Sequence, residues 1–161
     1  MSLLPAGYPS DASAAFKLLG ARTKLSIDDL KVLALLEQSG EAGYFAMAAA
    51  TDNEEAKALL MRNGQEERGH AHRLLKAIKL LGGDFVLPED RDNPFHTERK
   101  IAQLTGKMMD AIAMAEGDGD VTYQAWADAE PNAEVAKIYR QNASEESRHG
   151  QRAEQVKALL Q

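Results

Sequence analysis

The sequence predicts an all-α fold, a four-helix bundle built from two helix hairpins joined by a long crossover. Three observations predict it. Four long stretches carry apolar residues at three- and four-residue spacing, and only short connections join the first to the second and the third to the fourth. The segment 37–81 also aligns without a gap on the segment 116–160, at an offset of 79 residues. A chain of 161 residues, 44% of them apolar, is long enough to form one domain with a core.

The elements follow in order. Residues 1–25 make an N-terminal segment in which "DASAAFKLL" reads as a short helix packed on the bundle, and residues 26–161 make the bundle itself. The first long helix runs from Ser26 to Ala50, where "SIDD" offers an N-cap serine followed by two acids in the first turn. The second starts in "TDNEE", with a Thr-x-x-Glu capping box at Thr51 and Glu54, and stops at Gly82 and Gly83. Residues 82–96, "GGDFVLPEDRDNPFH", hold two glycines and two prolines without a sustained period and read as a connection. The third helix is expected from near Thr97 to around Asp128, and the fourth from Pro131, a residue suited to the first helical position. A connection of about 15 residues extends to roughly 50 Å, beyond the roughly 42 Å of a 28-residue helix. It can therefore cross the whole bundle and leave the second and third helices parallel.

Composition narrows the function. A net charge of -6 without a basic run argues against nucleic-acid and anionic-membrane partners, which need phosphate contacts. No run of 18 apolar residues is present, and "MSLLPAGYPS" has neither a basic start nor a long apolar segment, so a soluble, cytoplasmic protein without a secretory signal is expected. With no cysteine, thiolate zinc sites, cysteine nucleophiles and cysteine-ligated iron-sulfur centres are excluded, and any metal must be held by nitrogen and oxygen.

The repeat keeps ionisable residues as well as apolar ones. Glu37, Gly40 and Tyr44 match Glu116, Gly119 and Tyr123, while Asn63, Glu66, Glu67 and His70 match Asn142, Glu145, Glu146 and His149. On the first helix the inward stripe reads Leu30, Leu33, Glu37, Gly40, Tyr44, Met47, and on the second Leu60, Asn63, Glu67, His70, Leu74. Glutamates thus occupy core positions. Four ionised carboxylates buried in one layer would lose their hydration and repel one another. Two divalent cations resolve this, since Glu37, Glu67, His70, Glu116, Glu146 and His149 supply three ligands per ion with bridging, and leave open positions. A Glu and a His three residues apart share one helix face.

A Glu in each of two helices with Glu-x-x-His in each of the other two resembles the ferritin-like di-iron carboxylate proteins. Glu followed seven residues later by Tyr, in "EQSGEAGY" and "EGDGDVTY", most resembles their rubrerythrin-like branch, over residues 27–161. The resemblance implies a ferritin-like bundle holding two iron ions and an oxidoreductase of the peroxidase or oxidase type. Peroxide or dioxygen would be reduced with electrons from an external donor, in a homodimer. Two manganese ions, giving catalase-like disproportionation, or a mixed pair are the alternatives for the metal, and a ferritin-like iron-binding protein with ferroxidation is the non-peroxidase alternative. Full-length members of that branch carry a four-cysteine rubredoxin centre, so this cysteine-free chain is expected to lack that relay. The offset further implies two nearly equivalent metals, with Glu37 and Glu116 terminal, Glu67 and Glu146 bridging, and one histidine on each ion.

Other residues leave alternatives open. Glu41 and Asp120, one turn beyond Glu37 and Glu116 and level with Asn63 and Asn142, could steady the ligands together with those asparagines or simply reach solvent. Glu66 and Glu145 lie 100° from their neighbours and read as a solvated flank; His72, His96 and Asp118 read as surface or structural residues. Tyr44 and Tyr123 are either core fillers with satisfied hydroxyls or redox-active neighbours supporting the metal centre.

Overall fold

In the computed structural model, which describes residues 3–161, the chain is all-helical, with no strand among the described residues. The elements are α1 (Ala12–Gly20), α2 (Ile27–Ala49), α3 (Glu54–Leu80), a single 3-10 turn at Asp90–Asp92, α4 (Gly106–Ala129) and α5 (Ala133–Leu159). Met1 and Ser2, part of the N-terminal stretch read for a leader, lie outside the described residues. No helix among the described residues is long and apolar enough to cross a membrane.

Each helix starts where a side chain takes over an orphaned backbone donor. Ser26 caps α2 in a reciprocal box with Asp29, whose buried carboxylate also accepts from the Tyr8 hydroxyl at 2.7 Å and faces Arg22 at 3.3 Å. α3 is capped by Asn53 rather than by the expected Thr51 box; the Thr51 hydroxyl instead accepts from the Asn53 backbone N–H at 3.2 Å. An asparagine nearer the first turn reaches the Ala56 N–H directly, so the threonine is left one turn-position too early. α3 ends in a Schellman motif, with Gly82 at φ 87° and the Gly83 N–H bonded to the Ile78 carbonyl at 2.9 Å. Pro131 lies one residue before the Asn132 cap of α5, not inside the helix.

The third long helix starts later than the sequence suggested. Residues 97–105 are irregular, and Thr105 caps α4 through the Met108 N–H. The crossover is therefore 25 residues, 81–105, and it lies along α2 with its own side chains fixed to that helix. Asn93 donates to the Leu35 carbonyl and to Gln38 Oε1, both at 2.8 Å, while Gln38 donates to the Pro88 carbonyl at 2.8 Å and to Asp90 at 2.9 Å. Phe95 and Leu104 are buried further along. This cover explains why Leu35 and Gln38 are buried alongside the inward stripe of α2.

The crossover begins at Gly83 against Ile27, at the start of α2, and delivers Gly106 beside Lys157, near the end of α5. α4 then returns to the first end, where the Trp126 indole N–H donates to the Arg22 carbonyl at 3.1 Å. α3 and α4 consequently run parallel, as the length of the connection allowed. α2 packs on α3 and α4 on α5, and the two hairpins meet mainly through α3 and α5. α1 seals the first end with Ala15 and Leu19 fully buried. Two apolar clusters result, one around Leu19, Leu33, Trp126 and Tyr139 and the other around Met47, Leu60, Met109 and Val156. The layer between them is polar.

Candidate metal centre

That layer holds Glu37 from α2, Glu67 and His70 from α3, Glu116 from α4, and Glu146 and His149 from α5, each less than a tenth exposed. Helical spacing stacks them on the inward faces, and two glycines make room for the longest reach. A Cβ at Gly40 would stand 3.0 Å from Glu67 Oε2, and one at Gly119 would stand 3.4 Å from the Glu146 carboxylate. Both glutamates therefore lie flat against the neighbouring helix of their own hairpin.

The donor atoms fall into two sets. Glu37, Glu67, His70 and Glu146 form one, Glu67, Glu116, Glu146 and His149 the other, and within each set the atoms lie within 4.8 Å of one another. His70 Nδ1 is 3.6 Å from Glu37 Oε2, 3.8 Å from Glu67 Oε2 and 3.3 Å from Glu146 Oε1. His149 Nδ1 is 3.2 Å from Glu67 Oε1, 3.8 Å from Glu116 Oε1 and 4.0 Å from Glu146 Oε2. Glu67 and Glu146 thus each turn one oxygen to each histidine, whereas Glu37 faces only His70 and Glu116 only His149. The two imidazoles stack at 5.2 Å with 15° between their planes.

The histidines reveal what the layer lacks. Both Nδ1 atoms are buried without a hydrogen-bond partner, aimed among carboxylate oxygens. An orphaned buried nitrogen is costly unless something fills its lone pair. Nitrogen and oxygen donors in two sets of four fit a pair of divalent transition-metal ions. The residues present therefore fit a dinuclear centre.

Behind the histidines stands a second ring of charge that the sequence reading missed. His149 Nε2 meets Glu66 Oε2 at 2.9 Å, and His70 Nε2 lies 2.9 Å from Glu145 Oε2, within bonding reach although off the line of the ring N–H. Each glutamate serves the histidine of the other hairpin. Arg152 holds Glu66 at 2.6 Å and Asn63 at 2.9 Å; Arg73 ion-pairs with Glu145 and donates to Asn142 at 2.7 Å. Glu66 and Glu145 are thus not a solvated flank. Their 100° turn from the inward face points them across the α3–α5 contact. The signal was available: Arg73 and Arg152 obey the same 79-residue offset, and a ligating imidazole needs a partner on its other nitrogen.

The tyrosines also cross between hairpins. Tyr44 donates to Glu116, Tyr123 donates to Glu37, and Asn142 donates to the Tyr123 hydroxyl at 3.3 Å. Their hydroxyls are satisfied by carboxylates of the layer. Asn63 donates to the His149 carbonyl at 3.3 Å. Glu41 does not join this network, because its carboxylate turns outward onto Arg68 at 2.6 Å, and Asp120 makes no hydrogen bond or ion pair among the described residues. The asparagines are held by arginines instead of by those acids. His72 and Asp118 are exposed, and His96 lies half-buried in the crossover.

Electrostatics match this geometry. Burial pushes Glu37, Glu67 and Glu116 upward. At Glu37 the bonds and charge of His70, helped by Glu67 and Tyr123, overcome burial and hold the group down at about 2. Glu67 stays well above the ordinary range, through burial and then the charges of Glu146, Glu37 and Glu116; Glu116 is raised likewise, by burial and by Glu146. His70 is pushed well up, because Glu145, Glu146 and Glu37 outweigh the burial that opposes its charge, whereas burial lowers His149. Glu145, despite partial burial, is held at about 2 by His70 and Arg73. Without other positive charge, then, the layer keeps protons, and cations entering it must displace them.

An all-helical bundle carrying this buried carboxylate-histidine layer defines a ferritin-like protein of the di-iron carboxylate class. Residues 34–157 match the family described as Rubrerythrin, and the chain belongs to it. No curated protein and no solved structure was found to match the chain.

Proposed function

We propose that the layer binds two iron ions and that the protein reduces peroxide there, with dioxygen as a second oxidant and an external donor supplying electrons. The observation that carries the reading is the division of Glu67 and Glu146, each offering one oxygen toward either unpartnered Nδ1. On this reading Glu67 and Glu146 bridge, Glu37 and His70 complete one ion's set, and Glu116 and His149 the other's. Iron bound there would supply two electrons, one from each ion, to an O–O bond.

The protein residues have separate tasks. Glu66 accepts from the His149 Nε2–H, which fixes that tautomer, and the Glu145 charge stands 2.9 Å from His70 Nε2, so each Nδ1 stays turned inward. Tyr44 and Tyr123 orient Glu116 and Glu37. Burial, then the charges of the neighbouring carboxylates, keeps both phenols protonated, so each remains a hydrogen-bond donor beside the reacting layer. Carboxylates that can share or release an oxygen suit a centre whose charge changes during turnover.

Anaerobic iron(II)-loaded protein mixed with hydrogen peroxide tests the proposal. Consumption of peroxide without dioxygen release, followed by recovery with added reductant, is the expected result. Dioxygen release would favour the catalase-like alternative. Inertness to peroxide, with iron oxidised only by dioxygen and retained in bulk, would favour iron storage.

A further inference from the structure

The two hairpins touch through α3 and α5 but stand apart at α2 and α4, and the gap is a cavity of about 630 Å³ whose floor is the glutamate layer. Its walls are mostly apolar, with Phe16 of α1, Leu36 and Met47 of α2, and Ile112 and Trp126 of α4, while Lys17, Arg99 and Asp118 add charge to the lining. A volume in the range of organic-ligand sites is far more than peroxide needs, given that a water occupies about 30 Å³.

The residues facing the gap do not explain themselves by packing. A Cβ at Gly40 would crowd Glu67 at 3.0 Å and one at Gly119 would touch Glu146 at 3.4 Å, but a Cβ at Gly43 would meet only the tip of Arg99, at 3.9 Å. A glycine in mid-helix costs about 1 kcal/mol relative to alanine. Here the missing side chain leaves open space above the glutamates. Phe16 is 49% exposed on α1 yet lines the cavity, which places an aromatic face where it meets a bound molecule rather than the core.

We propose that this cavity binds an organic hydroperoxide, with the apolar body between α2 and α4 and the O–O group at the glutamate floor. The inference rests on the peroxide-reducing reading and specifies its substrate class. The reaction balances as ROOH plus two electrons and two protons giving ROH and water. The O–O bond breaks, and the electrons come from the same external donor through the reduced centre.

Trp126 is the only tryptophan and lies in the cavity wall, so its fluorescence reports occupancy without turnover. Metal-free and iron-loaded protein are titrated with cumyl alcohol, the product of cumene hydroperoxide reduction, and peroxide consumption is measured separately with cumene hydroperoxide and hydrogen peroxide. Saturable binding in both forms is expected, weakened at least tenfold in Gly43→Leu, which fills the gap, and weakened in Phe16→Ala at an exposed position. The Gly43→Leu variant should keep its metal content and shift the rate ratio at least tenfold toward hydrogen peroxide. Absence of saturable binding, or equal binding by Gly43→Leu, overturns the inference even if hydrogen peroxide is consumed. Binding of the alcohol with hydrogen peroxide consumed but cumene hydroperoxide untouched overturns the substrate class. If neither peroxide is consumed, the peroxide-reducing reading itself fails, and this inference with it.

Discussion

Glu145 and Glu66 each stand 2.9 Å from the Nε2 of the opposite hairpin's imidazole, leaving Nδ1 toward the carboxylate layer. Glu145→Gln should keep the shape but remove the charge that Arg73 and His70 share, and so lower metal affinity by about 10- to 100-fold with unchanged helix content. Isothermal titration of the metal-free variant with iron(II) under anaerobic conditions measures this. Wild-type affinity would return Glu145 to the surface. At this scale the sequence showed the inward glutamates and histidines plainly, since a charged residue on an apolar stripe stands out. It concealed Glu66 and Glu145 because a residue 100° off one helix face has no readable destination until the partner helix is placed. Glu41 misled for the same reason, with Arg68 rather than Asn63 within its reach.

At the scale of the element, α2 depends on its start. The Asp29 carboxylate is buried, accepts from the Ser26 N–H at 2.8 Å and from the Tyr8 hydroxyl, and faces Arg22. Burial alone would raise it, but these bonds and the Arg22 charge hold it below the ordinary carboxylate value of 3.8. A depressed folded-state pKa means the stabilisation is complete above the unfolded value and is lost as pH falls through the folded one. Asp29→Ala should therefore cost about 1–2 kcal/mol near neutrality, and the gap to wild type should narrow below pH 4. Thermal unfolding of metal-free protein from pH 7 to pH 3 checks it; a gap independent of pH would mean packing, not charge, holds the cap. Helix α2 was legible because periodicity and cap agreed, and α3 and α5 because their periodicity was long, although their caps fall at Asn53 and Asn132. The start of α4 was not, since residues 97–105 carry no glycine or proline to mark them as crossover.

The whole molecule is two hairpins whose joining surface is the polar layer itself, and the crossover fixes how they meet. Asn93 binds that strap to α2 through two hydrogen bonds, to the Leu35 carbonyl and Gln38 Oε1, and accepts a third within the strap from the Phe95 N–H. Asn93→Ala leaves buried partners unpaired and should cost about 1–3 kcal/mol, seen as a lower urea midpoint, while the metal-binding stoichiometry stays intact. Loss of metal binding in that variant would show that the strap shapes the site directly. The parallel run of α3 and α4 was readable from connection length alone; the separation of α2 from α4 was not, because nothing in either stripe says which of two neighbouring helix pairs will close.

The most direct test of a dinuclear, bridged centre is an anaerobic iron(II) titration of metal-free protein, comparing wild type with Glu37→Ala and Glu67→Ala. Two ions per chain are expected in wild type, one tight ion in Glu37→Ala, and weakened binding of both in Glu67→Ala, because Glu67 faces both histidines and Glu37 only one. One ion per chain in wild type, or a Glu67→Ala variant that binds two with undiminished affinity, would contradict the account.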